Sequence, residues 1–256
     1  MRIRLRDAIP VLLTAILAVV LGVEVDASRE ETPEEYRLEV YDDDSPLNPL
    51  ERAGIDILRL AHGRLAVRFF CGHETRPTDE EIASQRRRRD WLLNQAIPIL
   101  VETPGIVCLE LWDATGLSDA QFARFSNLGD LVILRIQNAP ITDATIARIG
   151  KLERLRYLSL LQCHVARPGL EKLSALPDLE DLDLSSCEVS DDDLEPVVRL
   201  KKLKKLALRA TRIGNGSVAL LKRLSELETL DVRDTQVDQH GVDELRQSNP
   251  KLKVFR

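Results

Sequence analysis

Aliphatic residues recur along the second half of the chain with a constant 24-residue period. Leu-x-Leu pairs open at Leu134, Leu158, Leu182, Leu206 and Leu230, evenly spaced from first to last. A related pair, Leu109/Leu111, stands one position further back from Leu134 than that period requires, its turn Asp113-Ala114-Thr115-Gly116 holding one extra residue; an incomplete unit ends in Leu252-Lys253-Val254. Three residues before each pair stands another leucine (Leu131, Leu155, Leu179, Leu203, Leu227). Five residues after its first member comes a small residue (Ala139, Cys163, Cys187, Thr211, Thr235), and two further on a branched one (Ile141, Val165, Val189, Ile213, Val237). The spacing then becomes helical, as in Phe122/Phe125/Leu128, Ile146/Ile149/Leu152, Leu170/Leu173/Leu176, Leu194/Val197/Leu200 and Val218/Leu221/Leu224. Alternation followed by a three-residue stripe predicts one short strand and one helix per unit. Neither element buries its apolar face alone, so stacked neighbours must create the core.

Charge patterning tests that register independently. In a parallel stack, residues one period apart become neighbours, and the rows Arg156, Glu180, Lys204, Glu228 and Arg154, Asp178, Lys202, Glu226 alternate in sign throughout. Each exposed opposite-charge pair contributes about 0.2–1 kcal/mol. The same rows account for the basic block around Lys201–Lys205 as structural rather than as an anion site.

These residues resemble the leucine-rich-repeat family, nearest to its cysteine-containing and ribonuclease-inhibitor-like subtypes, of a bacterial exported type. The resemblance covers residues 106–256 and implies an α/β solenoid, a right-handed strand–helix horseshoe with its parallel sheet on the concave side. It implies protein binding for most relatives, with glycans or peptides for some exported ones. One departure is the asparagine often found at the turn, replaced here by Ala, Cys or Thr, so the internal hydrogen-bond ladder must be weaker or differently built.

Residues 52–105 are expected to cap the first apolar layer. Ile55–Ala61 and Arg64–Phe70 read as two strands joined at His62-Gly63, or as a short helix followed by a strand. Thr78 with Glu81 forms a capping-box signature and opens a helix expected to end at Pro98, because proline lacks the amide that a helix interior uses. Ile82, Trp91, Leu93 and Ile97 are the expected packing residues. Arg86-Arg87-Arg88-Arg89 fans around this helix, which favours intramolecular pairing over a single phosphate or lipid ligand.

Two further segments precede the cap. Residues 1–27 carry Arg2, Arg4 and Arg6, then an uncharged run from Ala8 to Val23 closed by Glu24. This hydrophobic segment fits a cleaved signal peptide or a retained membrane anchor, and either places the rest of the chain outside the cytoplasm. Residues 28–51, acidic and punctuated by Pro33, Pro46 and Pro49, read as a solvated, disordered spacer. Fully extended, they would reach roughly 80 Å at about 3.3 Å per residue.

Composition narrows the function classes. A net charge of −6 gives no basic excess for nucleic acid. Among four histidines, Cys71-Gly72-His73 sets thiol and imidazole close in sequence, with neither an orienting group nor an oxyanion site nearby. Paired metal-ligand spacing is missing too, so no enzyme activity, cofactor, metal or small-molecule substrate is expected. Cys163 and Cys187 sit at equivalent turns and read as small buried thiols, although their spacing also permits a disulfide.

Strand alternation points to a partner surface. The expected concave positions of the first three units display Trp112, Ile133, Arg135, Tyr157 and Leu161, aromatic and arginine residues amid apolar ones, as in binding hot spots. The same side chains would equally serve to pack under the cap or cover each other. The expected function is an exported, membrane-anchored binding scaffold for a protein partner. The alternatives are a structural spacer of an envelope complex and an enzyme-inhibitor-like module.

Overall fold

The computed structural model describes residues 56–59, 64–70, 96–112 and 114–256. The expectations for residues 1–27, 28–51, the arginine run and Cys71-Gly72-His73 concern residues outside these. So do those for His62-Gly63, Thr78, Ile82, Trp91 and Leu93. Among the described residues no helix is long and apolar enough to cross a membrane.

Among the described residues nine strands form one sheet in chain order. They are β1 (Asp56–Arg59), β2 (Leu65–Phe70), β3 (Ile106–Trp112), β4 (Ile133–Ile136), β5 (Tyr157–Ser159), β6 (Asp181–Asp183), β7 (Lys205–Ala207), β8 (Thr229–Asp231) and β9 (Lys253–Phe255). β1 runs antiparallel to β2, which resolves the open reading of that segment in favour of two strands. Every later pairing is parallel. Leu134, Leu158, Leu182, Leu206, Leu230 and Val254 lie side by side across six strands. The repeat period is therefore the register itself. Leu158, Leu182 and Leu206 are at most 1% exposed, and one continuous apolar cluster runs from Val67 to Val254. The result is an α/β solenoid of leucine-bearing strand–helix units. The extra residue of the first unit is accommodated between Ala114 and Leu117, which are both buried.

Behind the sheet lie α1 (Asp119–Phe125), α2 (Asp143–Ile149) and α3 (Arg167–Leu173). The helical pattern fails to give an α-helix in the next unit. There Asp191–Leu194 and Val197–Arg199 are 3-10 turns separated at Pro196, whose missing amide interrupts the ladder. Leu194, Val197 and Leu200 remain buried, so the apolar stripe survives the change of helix type. A 3-10 turn, Asn215–Ser217, leads into α4 (Val218–Leu221), and α5 (Gln239–Ser248) closes the series. Before the repeats, residues 96–102 are helical straight through Pro98, against the expected stop at that proline. Ala96, Ile97 and Leu100 are buried on both sides of it, and Pro98 stands in the first turn of the described helical residues, where a proline's missing amide breaks no intrahelical bond.

After each repeat strand the chain turns through a left-handed residue: Asn138 (φ 51°), Gln162 (56°), Ser186 (57°), Ala210 (54°) and Asp234 (58°). In four of them the amide donates to a carbonyl one unit on, to Leu161, Ser185, Arg209 and Arg233 in turn. The small residue after each explains how the ladder does without asparagine. Cys187 Sγ reaches back to the Leu160 carbonyl of the preceding unit at 3.1 Å. Thr211 and Thr235 instead donate to their own turns, to Leu208 O and Val232 O, at 2.6 Å each. Cys163 and Cys187 are separate buried thiols, and burial pushes them up to about 11 and about 12.

The charge rows form in part, with no ion pair from Lys202 or Lys204 to Glu226 or Glu228 among the described residues. Arg156 and Lys204 both hold Glu180, at 2.7 and 2.9 Å, and Lys202 holds Asp178. Arg154 bonds Asp130 at 2.6 Å, which extends its row one unit earlier than the sequence pattern suggests.

Candidate functional site

The sheet face turned away from the helices carries the five side chains singled out from alternation. β3 ends at Trp112, β4 supplies Ile133 and Arg135, β5 begins at Tyr157, and Leu161 lies just beyond the end of β5. Four of them, Trp112, Arg135, Tyr157 and Leu161, line one shallow notch of about 110 Å³ together with Gln137, Ser159 and Asp183. Ile133 departs from the expectation that it is displayed. It is 6% exposed, packed in a small second cluster with Ala66 and Cys108, with Tyr157 against it. Short parallel strands place Ala66, Cys108, Ile133 and Tyr157 in one lateral row, so the row covers itself.

Beside that row runs a polar one: Arg68, Glu110, Arg135, Ser159, Asp183. Glu110 is 5% exposed. A carboxylate so far from water needs charged partners, and it has two. Arg68 Nε donates to Oε2 at 2.6 Å, and Arg135 Nη1 lies 3.4 Å from Oε1. Trp112 Nε1 donates to Oε2 at 3.4 Å, which holds the indole at the rim of the notch. The Arg135 guanidinium also lies over the Tyr157 ring, 4.7 Å from its centroid, a cation–π arrangement. Arg135 Nε is buried without a hydrogen-bond partner among the described residues. Burial pushes the Tyr157 hydroxyl up to about 12. One wall of the notch is thus fixed by a buried ion-pair network, while Trp112, Tyr157 and Leu161 are only half-buried.

The opposite wall is acidic. Asp183 Oδ2 accepts from Ser159 Oγ at 3.0 Å and Oδ1 from the Ser185 amide at 2.9 Å. Asp181, two residues earlier on β6, lies between Tyr157 and Lys205 in register. Burial pushes its carboxyl up to about 7, with Asp183 adding to the effect against the pull of Lys205. Ser159, Asp183 and Glu110 were not among the residues chosen from sequence. The lateral register was the signal that reaches them, since Glu110 and Ser159 flank Arg135 in its row and Asp183 follows Ser159.

A larger depression of about 660 Å³ opens where the strands begin, lined by Arg64, Asp130, Arg154, Arg156, Asp178, Glu180 and Lys202 among others. Most of its charges are joined in the rows described above. His164 and His240 sit exposed beside Glu188 and Glu244, at 3.9 and 3.2 Å. Among the described residues no group of three or more His, Cys, Asp or Glu side chains is placed to hold a metal ion.

No family model matches the chain, and no curated protein matches it. Solved structures similar to it include internalin C2 of Listeria monocytogenes, with 22% identity, 62% of each chain covered and a TM-score of 0.44. An internalin, inlF, of the same organism shows 19% identity over 61% of this chain and 56% of that one, with a TM-score of 0.40. A chain of the mouse RP105/MD-1 complex shows 20% identity over 58% of this chain and 26% of that one, with a TM-score of 0.46. The chain therefore spans less than two thirds of the length of each.

Proposed function

We propose that this chain is a binding scaffold that docks a protein partner on the open face of its sheet, around Trp112, Tyr157 and Leu161. One observation carries the reading. Half-buried aromatic and aliphatic side chains line a notch in which Arg135 is held by the Arg68–Glu110–Arg135 network. Rigid aromatic anchors of that kind bind with little ordering cost. The burial of Ile133 removes it from the contact set and gives it a supporting role under Tyr157. Arg135 acts partly from below, since Glu110 and Tyr157 already engage it.

The subtype stays with the cysteine-containing repeats on account of Cys163 and Cys187. Export, with tethering through residues 1–27, is part of the same proposal and rests on the arginine-flanked apolar run. Fractionation of cells producing the full chain, with mass measurement of its mature N-terminus, tests export separately from binding.

The binding test compares affinity capture by the wild-type chain and by a Tyr157→Ala/Leu161→Ala variant. The expected result is one saturable partner, lost in the variant while its melting temperature stays within a few degrees. Equal capture by both proteins would refute docking at the notch. A collapse in melting temperature would assign these side chains to packing instead.

A further inference from the structure

The charges on the open face are unevenly matched, and the mismatch falls at the notch. Glu110 is spanned by Arg68 and Arg135. Asp231 is held by Arg233, with Nε to Oδ1 at 2.9 Å, and Asp234 by Arg209 at 2.9 Å. Asp183 differs: the groups bonded to it are the Ser159 hydroxyl and the Ser185 amide, both uncharged. Each of its oxygens keeps room for a second donor. Its register neighbour on the side away from Ser159 is Ala207, whose methyl leaves that flank uncrowded. Asp181 stands on the same face of the same strand, so a second carboxylate adds to the local negative potential, partly offset by Lys205.

Geometry sets what would complement this wall. Tyr157 and Asp181 are register partners on adjacent strands about 5 Å apart, as are Ser159 and Asp183, and Asp183, diagonal to Tyr157, lines the same notch. That span suits an alkyl stem lying against an apolar ring with a cationic head beyond it. Building on the docking proposal above, we propose that the notch captures a lysine or arginine from an extended segment of the partner protein. Its head group bonds Asp183, its stem lies along Tyr157 and Leu161, and a neighbouring apolar side chain of the partner meets Trp112. Arg135, engaged by Glu110 and Tyr157, limits the site to one such cation by repelling a second on its own side.

The test is selection from a phage-displayed random dodecapeptide library on the immobilised full chain, followed by affinity measurement on the enriched peptides. Enriched peptides should carry Lys or Arg beside an aromatic or aliphatic residue. Replacing that basic residue by norleucine should weaken binding at least tenfold, and so should Asp183→Asn. The two changes together should cost no more than either alone. Ala207→Lys, which sets a competing cation beside Asp183 without touching its hydrogen bonds, should have the same effect. Asp178→Asn, in a row off this face, should leave affinity unchanged. Peptides whose binding falls with Tyr157→Ala but not with Asp183→Asn or Ala207→Lys would overturn the cation site and leave the docking face standing. Failure to enrich any peptide sensitive to Tyr157→Ala would overturn both.

Discussion

Asp181 offers a direct measure of how the open face treats charge. Its carboxyl rises from 3.8 to about 7 in the folded chain, chiefly through burial. A group whose folded pKa is raised favours folding while protonated in both states. That advantage is lost as pH climbs from 3.8 toward 7, because the unfolded chain releases its proton first. Above pH 7 the native state bears the full cost of a poorly hydrated charge. At about 1.4 kcal/mol per pKa unit the ceiling is about 4 kcal/mol. Solvent screening of this partly exposed carboxylate reduces it to about 1–2 kcal/mol. Asp181→Asn removes the ionisation at nearly constant shape. Its stability relative to wild type should therefore improve between pH 5 and pH 8, by roughly two thirds of that figure. Urea midpoints followed by circular dichroism at the two pH values supply the measurement, and the difference between them cancels any pH-independent effect of the amide. Glu180→Gln is the internal control with opposite sign. Desolvation opposes ionisation there, yet hydrogen bonds and charge from Lys204 and Arg156 hold that carboxyl below its usual range. Its native contribution is present above the unfolded pKa and lost as pH falls through the lower folded value. An Asp181→Asn gain that is equal at both pH values, or larger at pH 5, would refute the reasoning.

Three other outcomes are expected from the same structure. Ala210 has a left-handed φ of 54° where its neighbouring units use Asn, Gln, Ser or Asp; Ala210→Asn should stabilise by about 0.5–1 kcal/mol, whereas Ala207→Asn in the extended β7 should not, as read from urea midpoints. Leu182→Ala should cost about 3–5 kcal/mol, because the side chain is fully buried at the middle of the row that every unit shares; a loss of less than about 1 kcal/mol would contradict a continuous core. Cys108, Cys163 and Cys187, with thiols pushed up to about 12, 11 and 12 by burial, should resist a thiol reagent at pH 8 in the native protein and react on unfolding. Rapid native labelling of any of the three, located by mass mapping, would count against their burial.

Much of the fold was legible because its information is periodic. A side chain recurring at one fixed interval has only one way to meet its copies, and the sign alternation at Arg156, Glu180 and Lys204 penalises every other register. Local propensity was a poorer guide. Pro98 lies in the first turn of the described helical residues, while Pro196 falls between two 3-10 turns, and the apolar spacing around each reads alike. The site was half legible: alternation identified Trp112, Arg135, Tyr157 and Leu161 as one surface. It did not distinguish Ile133, on the same face, as covered. That depends on Ala66 and Cys108, both far earlier in the chain, meeting it across two strand pairings.

The sequence by itself determined the repeat length, the strand-then-helix order, the inward leucines and the lateral charge rows, since each is set by spacing along the chain. Only the tertiary structure decided which outward residues remain available. Exposure and charge balance on a sheet depend on neighbours one and two strands away. Glu110 became a buried bridge between two arginines, while Asp183, in the same row, was left with uncharged partners. That difference arises from which side chains stack laterally.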